Sequence, residues 1–260
     1  MWKIFKYNFS DLLRGRWTIL NFAFYFAIGM GLLYLSNDIY KAVISLSNIV
    51  LALVPLSSLV LGVIYMYDHE DFIALILTKP LKRSSVYLGH YFALIGTQTL
   101  SFTLGLGIPF LFMGMWSASN FSYWLNLWLC GLLLSYIFTA FSIIIALYFN
   151  NKVKGFSVAL LIWLFLTLIY DGLLLISLLF FEEYPVEKFA LWASMFNPID
   201  LSRILITLQL DVAAYMGYTG AIFHRFFGST QGITVVIGVL LLWIVFPVWW
   251  FIKLANRKNY

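Results

Sequence analysis

From Ser84 to Asn151 the chain carries no aspartate, glutamate, lysine or arginine. A run of that length has no charged side chain to turn toward solvent on any face, so it cannot belong to a water-soluble domain. It suits lipid, where about 20 apolar residues in a helix cross a hydrocarbon core of roughly 30 Å. Two crossings fit, divided at the polar break Ser117-Ala118-Ser119-Asn120. Trp17–Ser36, Val43–Tyr67 and Phe226–Ile252 are also uncharged, and Gly155–Phe181 is interrupted only by Asp171. Composition agrees: 63% of the 260 residues are hydrophobic and 10% charged, against about 25% charged in an average soluble domain. The pattern predicts an all-α integral membrane protein with six transmembrane helices. These fall at about 17–36, 43–67, 86–115, 122–149, 155–181 and 230–252 in a single transmembrane domain, 1–260. The first run is longer than the apolar region of a removable leader and lacks a small-residue cleavage pattern, so it reads as a retained span.

Charge placement orients the spans. Lys3, Lys6, Arg14, Arg16, Lys79, Lys82, Arg83, Lys152, Lys154, Lys253, Arg257 and Lys258 fall on one side, twelve of the 16 basic residues. Lys41, Lys188, Arg203 and Arg225 fall on the other, with most of the acids. The basic side is expected to face the cytoplasm, with both termini inside. Trp116, Trp124, Trp249 and Trp250 lie at expected interfaces, where amphipathic rings favour the headgroup layer. A single cysteine, Cys130, excludes an internal disulfide.

Residues 1–16 read as an interfacial helix. Trp2, Phe5, Phe9, Leu12 and Leu13 share one stripe, and Lys3, Lys6, Ser10 and Arg14 lie opposite, near anionic headgroups. The loop after the second span runs Asp68-His69-Glu70-Asp71-Phe72 through Leu75, Ile76, Lys79, Pro80 and Arg83. Acids first and lysine-proline last is the order a helix dipole favours. Phe72, Leu75 and Ile76 share a face on a helix too short to span, which fits either a partner's hydrophobic groove or the chain's own bundle. Asp68, His69, Glu70 and Asp71 point in different directions on a helix, which argues against a metal site.

Asp171 is the one acid inside a span, a position that is costly and faces the bundle interior. It serves either as a structural hydrogen-bond acceptor or in transport. The segment 182–225 forms the sizeable loop on the other side. In it Asn197 can cap a helix, Pro198 suits the first helical position, and Asp200 and Arg203 can pair at i, i+3. Thioethers select copper(I), which makes Met113, Met115, Met195 and Met216, with His224, the candidates for copper. They are scattered, and isolated methionines are ordinary packing residues. His69, His90 and His224 are expected at three separate levels, too far apart to share a haem iron. The chain has no G-x-x-x-x-G-K-[S/T] loop, no G-x-S-x-G elbow and no H-E-x-x-H helix.

These features together resemble ABC-2-type transporter permeases. The residues that carry the likeness are Glu70, the Leu75-Ile76-Leu77-Thr78-Lys79-Pro80-Leu81-Lys82-Arg83 turn and Leu88-Gly89 at the entry to the third span. Lys152-Val153-Lys154-Gly155 leading to Trp163 and Tyr170-Asp171, and Asn197-Pro198-Ile199-Asp200-Leu201-Ser202-Arg203, narrow it to the permeases that serve maturation of nitrous oxide reductase. His90 departs from the pattern, where relatives often have lysine. The resemblance implies the type V exporter-like permease fold in a bacterial inner membrane, and a homodimer paired with two cytoplasmic ABC ATPases. It also implies a periplasmic β-helical copper-binding protein against the loop 182–225. ATP and magnesium would sit on the ATPase and copper on the periplasmic protein, with no cofactor on this chain, which would be non-catalytic. Asp68–Arg83 would be the coupling helix, and Asn197, Pro198, Asp200 and Arg203 the outer contacts. Export of another cargo (a lipid, drug or polysaccharide) and a membrane anchor of a redox complex are the rival readings.

Overall fold

The computed structural model of the chain describes residues 2–36, 39–113, 118–180, 192–209 and 230–257. Among these the secondary structure is helical, without strands. The elements are α1 (Trp2–Arg14), α2 (Arg16–Ser36), α3 (Ile39–Asp68), α4 (Glu70–Leu77), α5 (Arg83–Met113), α6 (Ala118–Tyr148), α7 (Lys152–Leu164), a π-helical turn (Phe165–Ile169), α8 (Tyr170–Phe180), α9 (Pro198–Gln209) and α10 (Thr230–Arg257). Six segments are long and apolar enough to cross a membrane: Arg16–Ser36, Lys41–Asp68, Arg83–Phe112, Phe121–Tyr148, Lys152–Ser177 and Ile233–Arg257.

Local chemistry sets the boundaries. The Asn151 side chain caps α7 by accepting from the backbone N–H of Val153 at 2.9 Å and of Lys154 at 3.2 Å. Asp68 closes α3 rather than opening the next helix, and Glu70 and Asp71 form the first turn of α4. Lys79 and Pro80 lie past its end, where proline's missing N–H breaks no helical bond.

α6 sits at the centre, with 78% of its apolar stretch buried, against 17% for Arg16–Ser36 and 6% for Lys152–Ser177. α3 packs most closely on α6, and α2 on α5. Small residues allow that second approach: a Cβ on Gly29 would stand 3.2 Å from Leu106 Cδ2 and 3.3 Å from Pro109 Cγ. Gly105 in turn lies against Tyr25 and the Phe22 carbonyl. Gly31, by contrast, has open space around it.

α1 runs beside the first half of α5, with Ile4 on Gly89 and Phe9 on Gly96. Its aromatics stack in a row, Trp2 on Phe5 at 5.2 Å and Phe5 on Phe9 at 5.4 Å. The expected apolar stripe is thus present, but it is not the most buried part of the helix. That part is Asn8, which is fully buried, with Ile4 and Leu12 packed beside it. Two faces of α1 are in use: the aromatic row lines an apolar groove with Phe92 and Leu100, and the Ile4-Asn8-Leu12 face meets the bundle.

Candidate functional site

The expected functional residues gather at two ends of the bundle. At the end that holds α1 and α4, Ile73 points inward with 1% exposure and packs in a cluster with Tyr65, Val86 and Tyr87. Ile76 packs against the same cluster, whereas Leu75 is 63% exposed. The face expected to be shared by Phe72, Leu75 and Ile76 is therefore divided. Leu75 with Lys79, Pro80 and Leu81 projects outward, and Phe72 stacks on Tyr7 of α1 at 5.3 Å. Glu70 and Asp71 stand at the positive end of the α4 dipole.

An ion pair and a histidine–carboxylate hydrogen bond fasten the corner that carries α4. Lys152 Nζ donates to Asp68 Oδ1 at 2.6 Å, tying the end of α3 to the start of α7. His69 Nε2 lies 3.2 Å from Asp11 Oδ2, tying the corner to α1. His69 Nδ1 also bonds the Tyr65 carbonyl at 3.0 Å. Both acceptors lack protons, so the two bonds form together only on a doubly protonated ring. One sequence expectation is corrected here. His69 and His90, placed at separate levels, have ring centroids 6.5 Å apart with Tyr65 beside both. Helix α3 ends at Asp68 and α5 begins at Arg83, so His69 past the end of one helix and His90 two turns into the other lie at the same end of the bundle.

Toward the opposite end, Asp171 in the first turn of α8 receives Arg203 Nη1 at 2.7 Å. The same nitrogen reaches Asp200 Oδ1 at 3.2 Å, the expected i, i+3 pair. Asp171, the acid within the span, thus has a cationic partner from outside its own helix. Burial raises the Asp200 carboxyl, Arg203 lowers it, Asp171 raises it again and the Asn197 hydrogen bond lowers it, for a net position pushed up to about 6. Asn197 does three jobs. Its Oδ1 accepts from the Ile199 N–H at 3.1 Å, which caps α9, and Pro198 takes the first helical position. Its Nδ2 donates to Asp200 Oδ2 at 3.0 Å and to the Leu166 carbonyl at 2.8 Å. Tyr170 Oη donates to the Ala193 carbonyl at 2.6 Å and Trp163 Nε1 to the Ala52 carbonyl at 2.8 Å.

Between the two ends lies a polar knot that sequence reading did not single out. Gln98 Oε1 accepts from Ser58 at 3.0 Å, Ser135 at 2.5 Å and Thr139 at 3.0 Å, joining α3, α5 and α6. Serine and threonine are frequent in spans, so only the glutamine in an uncharged run marked the place.

Among the described residues no three His, Cys, Asp or Glu side chains converge as metal ligands. Met195 is half-buried on the main apolar cluster, and its carbonyl accepts from Trp243 Nε1 at 3.0 Å. Met113 ends α5, while Met115, Met216 and His224 lie outside the described residues, as does most of 182–225.

No family model matches the chain. Two curated proteins do, both named "Probable ABC transporter permease protein NosY". The one from Stutzerimonas stutzeri is 25% identical over 227 residues, covering 79% of this chain and 80% of that protein. The one from Pseudomonas aeruginosa is 24% identical over 233 residues, covering 84% and 85%. Likeness along about four-fifths of both lengths extends well beyond any one hydrophobic stretch.

Proposed function

We propose that this chain, an ABC transporter permease similar to NosY, passes the ATP-driven motion of a partner ATPase to copper or sulfur delivery for nitrous oxide reductase. The chain is a multi-pass protein of the cytoplasmic (inner) membrane. In this reading the end with α1 and α4 faces the cytoplasm, with both termini inside. The carrying observation is the division of α4. Ile73 anchors the helix to the bundle while Leu75, 63% exposed, is left for a partner's groove. That partner is a cytoplasmic ATPase of the NosF kind, which holds the ATP and magnesium and does the hydrolysis. A second copy of the chain seats on the lipid-side surface of α2 and α7–α8, the least covered spans. A periplasmic copper-binding protein of the NosD kind meets the segment that contains α9.

Nucleotide can drive such a machine only by binding two of its states with different affinity, and ATP on the partner supplies that difference. The test is co-purification of the membrane-inserted complex. Leu75→Asp is expected to leave insertion intact and to lose the ATPase. Unchanged recovery of the ATPase would overturn the docking role of α4. Cargo is tested separately: loss of copper-loaded reductase in a strain lacking the permease supports this reading, and full loading points to the export of another cargo.

A further inference from the structure

The π-helical turn Phe165–Ile169 holds one residue more than an α-helical turn, and Tyr170 N–H closes it by donating to the Phe165 carbonyl. A turn of this kind leaves a carbonyl without its usual partner. Here the Leu166 carbonyl takes the Asn197 Nδ2 at 2.8 Å, from a helix 31 positions away. The π form also has a visible cost, since the Thr167 hydroxyl is buried with no hydrogen-bond partner. In an α-helical register a threonine hydroxyl ordinarily bonds the carbonyl one turn back. Five residues after Leu166 stands Asp171, held by Arg203 on the same short helix as Asn197. Two contacts from α9 and its capping residue therefore meet the fifth span, one inside its irregular turn and one just beyond it.

We propose that Asn197 is a positioning residue that selects the register of the fifth span. Its bond to Leu166 holds the turn in the π form; release of that bond closes the turn into an α-helix. Removing one residue's worth of winding turns α8 about its axis by about 100° and shifts it about 1.5 Å. Asp171 then leaves Arg203, so α9 and α8 move as a two-state unit. The register change belongs to this chain alone and does not depend on the cargo or the ATPase.

The experiment uses the full chain in lipid nanodiscs, with Cys130→Ser to remove the native thiol and spin labels at Leu161→Cys and Ile176→Cys. Both positions are exposed, one on each side of the turn. Asn197→Ser and Asn197→Asp each keep a helix-capping oxygen and lose the donor to Leu166. The native side chain is expected to give one label distance. Both variants are expected to add a second population with a label distance longer by about 2 Å, because the rotation carries the label at 176 mostly across the helix axis while the shift adds to the axial separation. They should also exchange the Tyr170 amide faster, because its N–H is released each time it passes between the Phe165 carbonyl of the π form and the Leu166 carbonyl of the α form. Deleting Leu168, which leaves an α-helical turn and keeps Asp171 in phase, is expected to make the distance insensitive to residue 197. Variant distances and exchange rates that superimpose on those of the native residue would overturn the proposal. So would continued sensitivity to residue 197 after the deletion.

Discussion

Asn8 in the first helix donates through Nδ2 to Nδ1 of His90 at 3.0 Å, a fully buried bond between residues 82 positions apart. The amide donates, so His90 accepts at Nδ1 and carries its proton on Nε2.

That bond holds the first helix on α5. Asn8→Ala should therefore cost about 1–3 kcal/mol, the penalty for stranding a buried polar partner. The loss should appear as a lower thermal midpoint and as faster tryptic cleavage after Lys3 and Lys6. A cleavage rate equal to that of the native chain would mean that the other contacts of α1, the aromatic row and the Asp11–His69 bond among them, hold it without this bond.

Arg203 neutralises two carboxylates, so removing it costs more than removing either acid. Arg203→Gln leaves Asp171 and Asp200 facing each other. Both Arg203 and Asp171 keep partial exposure, which places the expected destabilisation at about 1–3 kcal/mol rather than at the buried-pair extreme. Adding Asp171→Asn should recover part of it. A double variant as unstable as the sum of the two single ones would show that the pair does not couple.

Asp200 gives the fold a pH dependence of definite sign. Its carboxyl is raised in the folded chain to about 6 from 3.8, so between these values the folded state binds more protons than the unfolded one. Stability contributed by this group is therefore greatest at low pH, declines as pH rises from about 4 to about 6, and is flat above. The full effect is at most about 3 kcal/mol. Thermal midpoints of Asp200→Asn measured across that range should lack the decline. A decline that persists in the variant would assign it to another group.

Gln98 is the shared acceptor of three hydroxyls on two neighbouring helices. Gln98→Leu removes the acceptor of all three, and at about 0.6 kcal/mol per interhelical bond in a bilayer the loss is about 2 kcal/mol. Urea or detergent unfolding of the purified chain reads it directly. A more stable Gln98→Leu would show that the unpartnered Gln98 Nε2 costs more than the three bonds supply.

What could be read from the sequence follows from the range of the interactions involved. The spans are legible because charge is absent over whole runs, and the cap of α9 because Asn197, Pro198, Asp200 and Arg203 interact within one turn. Asp171 was marked as an acid in a span, but its bond to Arg203 crosses 32 positions and has no local signature. The same holds for Asn8 with His90 and for the Gln98 knot, where polar side chains find one another only after the helices pack. The π turn Phe165-Leu166-Thr167-Leu168-Ile169 is ordinary helical sequence, and its register is set by Asn197 from elsewhere in the chain. The α4 pattern was legible as a helix but not as a divided one, since only packing distinguishes Ile73 from Leu75.

The parallel course of α1 and α2 beside α5 also fixes an order of events during biosynthesis. At about 5–20 residues per second, the 82 positions between Asn8 and His90 take on the order of 4–16 s to translate. Through that interval the first two helices wait at the membrane with Asn8, Gly29 and the aromatic row uncovered. Their residence there rests on the charges of Lys3, Lys6, Arg14 and Arg16 and on the rings of Trp2 and Trp17, which hold a helix at the lipid boundary without a protein partner. The amphipathic start of the chain is thus a temporary mooring for a segment whose permanent berth has not yet been made.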